Sequence, residues 1–183
     1  MKRILIKGGT LYTMIGKDGI FKGDVLIEDG KIIETKESIH AEDAEVIDAS
    51  GLCVMPGLID AHSHIGLFDF NSDEAVDDAN EMTDPVSAAV DARYGINPKA
   101  RELRVAYEHG ITSMLFTPGS GDVFCGQAFV AKTFGDNIFD MTVKAPAAVK
   151  IALGGNPKNT FGDLKRLPMT RMGVAHVLWD TFG

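Results

Sequence analysis

His62 and His64, separated only by Ser63, are the residues of this chain whose type and spacing could do chemistry. Side chains alternate between the faces of an extended strand, so residues two apart point the same way. A strand over Leu58 to His62 would set both imidazoles on one face, one pleat repeat apart. Two ring nitrogens placed like that can grip a single divalent metal ion. Ser63 is small enough to crowd neither ring, and Gly66 lets the chain turn away once the second histidine is placed. A bare His-x-His pair equally suits surface or hydrogen-bonded histidines, so its flanks decide how it is read.

Those flanks form the stretch Pro56-Gly57-Leu58-Ile59-Asp60-Ala61-His62-Ser63-His64. It resembles the first-strand metal motif of the amidohydrolase superfamily, and within it most closely the imidazolonepropionase-like group. The resemblance implies that the motif ends the first strand of a (β/α)8 barrel. It also implies that His62 and His64 bind a divalent metal, commonly Zn2+, that activates water. The implied reaction is metal-dependent hydrolysis of a non-peptide C–N bond in a small-molecule linear or cyclic amide. Asp60 is read as packing or hydrogen-bonding at the strand, behind the ligands.

The element that must lead into this strand is a β-rich segment, residues 1–55. Short apolar runs (Ile4 to Ile6, Thr10 to Met14, Asp24 to Glu28, Lys31 to Thr35, Glu45 to Asp48) alternate with glycine-containing turns. Asp29-Gly30 is a two-residue hairpin signal that asks for positive φ. The pattern suits a small sandwich or open sheet. It could stand as an independent binding module, although no basic, aromatic or polar cluster suggests a ligand. The resemblance implies part of a β-sandwich.

Residues 56–183 change character. Asp69, Asp73, Glu74, Asp77, Asp78, Glu81 and Asp84 form a purely acidic stretch, read as a solvated loop in which Glu81 and Asp84 could touch substrate at the rim. Both Asn80-Glu81-Met82-Thr83-Asp84-Pro85 and Gly95-Ile96-Asn97-Pro98 resemble segments of the same group. Asn97-Pro98 is expected to open a helix on which Ala100, Leu103 and Tyr107 repeat before Gly110 ends it. Ile111 to Phe116 then reads as a buried strand, which completes a βαβ unit of a parallel sheet. His109 falls at the helix end and is not read as a ligand.

The loop from Pro118 to Gly126 lacks the Gly-Lys-Ser/Thr ending of a phosphate-binding loop and reads as a tight turn. Its Gly126-Gln127 matches the end of a segment of the resembled group. Gln127 to Thr133 and Ala148 to Leu153 are further strands, and nothing separates Lys132 from a surface lysine. The resembled group leads to the expectation of a Gly-Glu-Asn-Pro-Lys segment here, with its glutamate near the metal; this chain has Gly155 at that place. Thr170 is a candidate N-cap for a last helix carrying Val174, Val177 and Leu178, with His176 away from the site.

The expected fold class is therefore α/β: the N-terminal part of a small β-sandwich followed by an incomplete (β/α)8 TIM-type barrel. A whole barrel takes about 250 residues, roughly twice the length left after residue 55. Later-strand ligands and a general base have no counterpart here, so the isolated chain is expected to be inactive or nearly so. Three explanations stay open. The chain could be a fragment of a longer hydrolase, or a stand-alone protein that closes its sheet by swapping or as a homo-oligomer and retains one weak metal site. It could also be a non-catalytic β plus α/β binding module with structural histidines.

Of the 183 residues, 45% are hydrophobic and 24% charged, as in ordinary globular chains. A net charge of −8 argues against a nucleic-acid partner, which needs clustered Lys and Arg. No apolar run reaches the roughly 20 residues of a membrane span, and the start does not read as a signal peptide. Cys53 and Cys125 read as buried thiols in a reducing cytoplasm.

Overall fold

The structure, a computed structural model, describes residues 2–16, 18–69 and 76–183. Asp73 and Glu74 of the acidic stretch lie outside the described residues. The chain divides into two compact units, Met1–Pro56 and Gly57–Gly183.

The first unit is one mixed sheet built from β1 (Arg3–Tyr12), β2 (Ile20–Glu28), β3 (Lys31–Lys36), β4 (Glu45–Asp48) and β5 (Cys53–Val54). The order is β3-β2-β1-β4, with β5 also pairing β1. Asp29 and Gly30 both take positive φ, 47° and 78°, which matches the twist of the β2–β3 hairpin they join. The two runs before Tyr12 prove to be one strand: Gly8 sits at φ 76° and the register against β2 shifts between Ile6 and Gly9. That bulge keeps both halves in the same ladder, where the glycine pair in the sequence suggests a break. Leu5, Leu26 and Ile39 form the core of this unit. Cys53 is exposed, contrary to the expectation of a buried thiol, because β5 is only two residues long and pairs at Thr10 and Leu11 alone; Cys125 is buried as expected.

The second unit begins with β6 (Leu58–Ser63), followed by the two-residue strands β7 (Phe68–Asp69) and β8 (Val76–Asp77) and a 3-10 turn at Ala92–Tyr94. Then come α1 (Arg101–Glu108), β9 (Ile111–Phe116), β10 (Phe124–Lys132), α2 (Ile138–Met141), β11 (Thr142–Ile151), α3 (Gly155–Asp163) and α4 (Arg171–Phe182). The main sheet has the order β11-β10-β9-β6. β6 and β9 are parallel and joined through α1, as a βαβ unit requires. β10 and β11 are antiparallel to their neighbours, so the sheet is mixed rather than parallel throughout. The connection from β9 to β10 is a short loop, too short for the crossover a parallel strand needs.

Phe116 and Phe129 are register partners, wholly buried and stacked with ring centres 5.1 Å apart. They anchor a core with Leu67, Leu103, Met114 and Met141. α1 contributes Leu103 and Ala106, one turn apart on its inner face. It starts at Arg101, later than the Asn97-Pro98 signal suggests, because Asn97 spends its side-chain oxygen on the Lys99 N–H in a local turn. Thr170 caps α4 through the Gly173 N–H at 3.1 Å, and Val174 and Val177 pack on Val123 and Phe124. β6 ends the sheet order, and on it Leu58 and Ile59 are 51% and 73% exposed. In a barrel such a strand is flanked on both edges and covered on both faces.

Candidate metal centre

The site lies where β6 and β9 run out together. Ser63 pairs with Phe116, and the Thr117 N–H donates to the Ser63 carbonyl at 2.9 Å. Parallel neighbours in register finish at the same end of the sheet, where barrel enzymes carry their chemistry. Thr117 is thereby brought beside His64, and its backbone carbonyl stands 2.8 Å from His64 Nδ1. A carbonyl can only accept, so Nδ1 carries the proton and Nε2 of a neutral His64 offers its lone pair.

The His64 Nε2 points at the Nε2 of His62, 3.3 Å away, with the two rings edge to face at 5.0 Å between centres. His64 lies one residue past the end of β6, yet the two tips converge. Asp60 accepts from the His62 N–H at 3.0 Å, which fixes the backbone just ahead of the pair. Ser63 is buried between the two histidines, and its Oγ accepts from the Ile65 N–H at 3.2 Å. Gly66, at φ 82°, then turns the chain; a side chain there would press on the Asn97 carbonyl.

The positive charge of Lys150 on β11 holds the His62 imidazole below its ordinary pKa, helped by partial desolvation and by His64. Sequence reasoning misses Lys150: nothing in a lysine inside an apolar strand marks its charge as acting on His62. Lys132 instead donates to Ser113 Oγ at 3.2 Å.

The remaining candidates lie elsewhere or are locally engaged. His109 caps α1, with Nδ1 2.8 Å from the Val105 carbonyl, and His176, on α4, lines a separate hollow with Met169 and Met172. Glu81 accepts from Thr83 Oγ1 and Asp84 from the Val86 N–H, both at 2.8 Å, so each is committed within its own loop. Among the described residues no group of three or more His, Cys, Asp or Glu side chains is placed to hold a metal. Gly155 opens α3 with free space around it.

Next to His64 is an open hollow of about 420 Å3, walled by Asn80, Met82, Ser120, Asn156, Asn159 and Thr160. No spacing in the sequence singles out Asn159 or Thr160, whereas Asn156 falls in the segment that the resemblance already sets near the metal; the fold brings all three beside His64.

No family profile matches the chain. Amidohydrolase tasK from Hapsidospora irregularis is 31% identical over 169 residues, 84% of this chain and 17% of that protein. A 5-methylthioadenosine/S-adenosylhomocysteine deaminase from Caldicellulosiruptor saccharolyticus is 44% identical over 68 residues, 34% of this chain and 16% of that protein. The crystal structure of an amidohydrolase from Thermotoga maritima MSB8 superposes with a TM-score of 0.91 at 41% identity, covering 98% of this chain and 46% of that one. The chain thus belongs to the amidohydrolase superfamily, as a partial, N-terminal portion. Its fold is α/β, with a β-rich first segment and an incomplete (β/α)8 barrel. It spans less than half the length of these relatives. No helix among the described residues is long and apolar enough to cross a membrane.

Proposed function

We propose that His62 and His64 are two ligands of a divalent metal, with zinc the expected ion, in a protein that hydrolyses a non-peptide C–N bond of a small amide or cyclic amide. The observation that carries this reading is the 3.3 Å separation of the two Nε2 atoms. Two nitrogens holding a tetrahedral ion at about 2.0–2.1 Å stand about 3.3–3.4 Å apart. The donor chemistry also fits, since the Thr117 carbonyl fixes the His64 tautomer that leaves Nε2 free.

A bound metal would supply Lewis acidity and a water activated near neutral pH. The chain's own residues supply the rest. Thr117 orients His64, Asp60 fixes the backbone at His62, and the charge of Lys150 favours the unprotonated form of His62 that can donate its lone pair. Residues 1–55 serve as the sandwich segment and residues 56–183 as the first part of the barrel. The chain by itself is inactive or nearly so, because two histidines leave a zinc site short of the three protein ligands usual for catalysis.

The test is metal content by elemental analysis. The purified chain should retain zinc after dialysis, and His62→Ala or His64→Ala should lose it. Unchanged occupancy in both variants would refute the assignment, and appreciable amide hydrolysis by the purified chain would refute its inactivity.

A further inference from the structure

We propose that the hollow beside His64 is a specificity pocket for the uncharged, amide-bearing part of the substrate, read by Asn80 and Asn156. The inference rests on the proposed metal chemistry only in placing that part next to the reacting centre.

The loop after β9 holds both asparagines. Asn80 Oδ1 accepts from the Gly121 N–H at 2.8 Å, so its amide nitrogen is the group left to donate. Asn156 Nδ2 donates to the hydroxyl of Ser120, the adjacent residue, so its carbonyl oxygen is left to accept. One donor and one acceptor therefore flank the same short segment and line the same hollow. A –CO–NH– edge presents the complementary pair.

The rest of the wall favours a neutral, compact group. Among the described residues it has no Lys, Arg, Asp or Glu; Asn159, Thr160 and Ser120 add uncharged polar groups, and Met82 and Phe68 add apolar surface. A carboxylate entering such a site would lose hydration without gaining a cationic partner. Glycine keeps the floor open: a side chain at Gly119 would collide with the Asn80 carboxamide, and one at Gly121 would meet Met82 Cγ at 2.6 Å.

The decisive experiment titrates the metal-free, 15N-labelled full chain with hydantoin, a neutral cyclic ureide, and separately with hydantoin-5-acetate, while zinc binding is measured on the same preparations. Hydantoin should shift the amide signals of residues 80–82, 119–121 and 156–160, and the carboxylate analogue should bind about tenfold more weakly. Asn80→Asp keeps an acceptor for the Gly121 N–H but removes the free donor. It should weaken hydantoin about tenfold, as should Asn156→Ala, with native spectra and unchanged zinc binding. Zinc binding without hydantoin shifts, equal affinity for the two ligands, or shifts elsewhere would overturn the pocket while leaving the metal reading intact. Hydantoin binding that behaves as stated in a chain that takes up no zinc would support the pocket and remove the metal reading alone.

Discussion

His64 Nε2 stands 3.3 Å from His62 Nε2 while its Nδ1 stands 2.8 Å from the Thr117 carbonyl, so one imidazole is held at both ends. The second contact comes from the register of β6 against β9, which sets Ser63 opposite Phe116. The parallel strand pair is therefore what turns a two-residue sequence motif into an oriented pair of donors.

Lys150 is expected to govern the protonation of His62. Its charge is the largest cause holding the imidazole below its ordinary value of 6.5. Lys150→Met should raise the His62 pKa toward 6.5, followed through the imidazole C–H signals in a proton NMR titration. The sign comes from proton binding: between the lowered folded value and 6.5 the unfolded chain holds more protons. Stability present above 6.5 is thus lost as pH falls through that window. The variant should narrow the window, and an unaltered His62 titration would contradict the role given to Lys150.

Gly155→Glu should strengthen zinc binding. The resembled group is expected to carry glutamate there, and a side chain at Gly155 meets no atom within 4 Å. Position 155 opens α3, where a carboxylate suits the helix dipole and replacing glycine favours the helix. Calorimetric titration should give a tighter zinc complex with no loss of thermal stability. Weaker or equal zinc affinity would show that α3 does not face the ion.

Asp122 is a stability liability. It is 1% exposed and neither carboxylate oxygen has a hydrogen bond of good geometry. Burial raises its pKa, with Glu81 and Asp84 adding to the rise; the nearby Ser87 side chain and Met82 backbone offset it only in part. A carboxyl whose folded pKa is raised loses stability as pH climbs from its ordinary value of 3.8 through the folded one. Asp122→Asn should therefore stabilise the chain at pH 7 by about 1–3 kcal/mol in urea unfolding. The gain should shrink below pH 3.8, where both forms are neutral. A destabilised variant at pH 7 would mean that the ionised carboxylate is held favourably.

Much of this architecture is legible in local residue chemistry. Asp29-Gly30 specifies its turn because few residues adopt positive φ twice, and Thr170 specifies a helix start because its hydroxyl meets an orphan N–H. Leu58 to His62, followed by a helix and Ile111 to Phe116, signals a parallel pair for the same local reasons. Strand direction at β10 and β11 is different, since apolar runs look alike whichever way they pair. The start of α1 falls later than its capping signal because Asn97 has a nearer amide to satisfy. The contact of Thr117 with His64, the charge of Lys150 on His62 and the place of Asn156 in the hollow beside His64 all follow from tertiary register, which no spacing along the chain encodes.

X-ray diffraction at the zinc absorption edge, on crystals of the chain grown with zinc, tests the metal assignment most directly. One anomalous peak is expected about 2.0–2.1 Å from both Nε2 atoms of His62 and His64. Two imidazoles hydrogen-bonded to each other with no peak between them, in crystals grown at saturating zinc, would contradict the assignment.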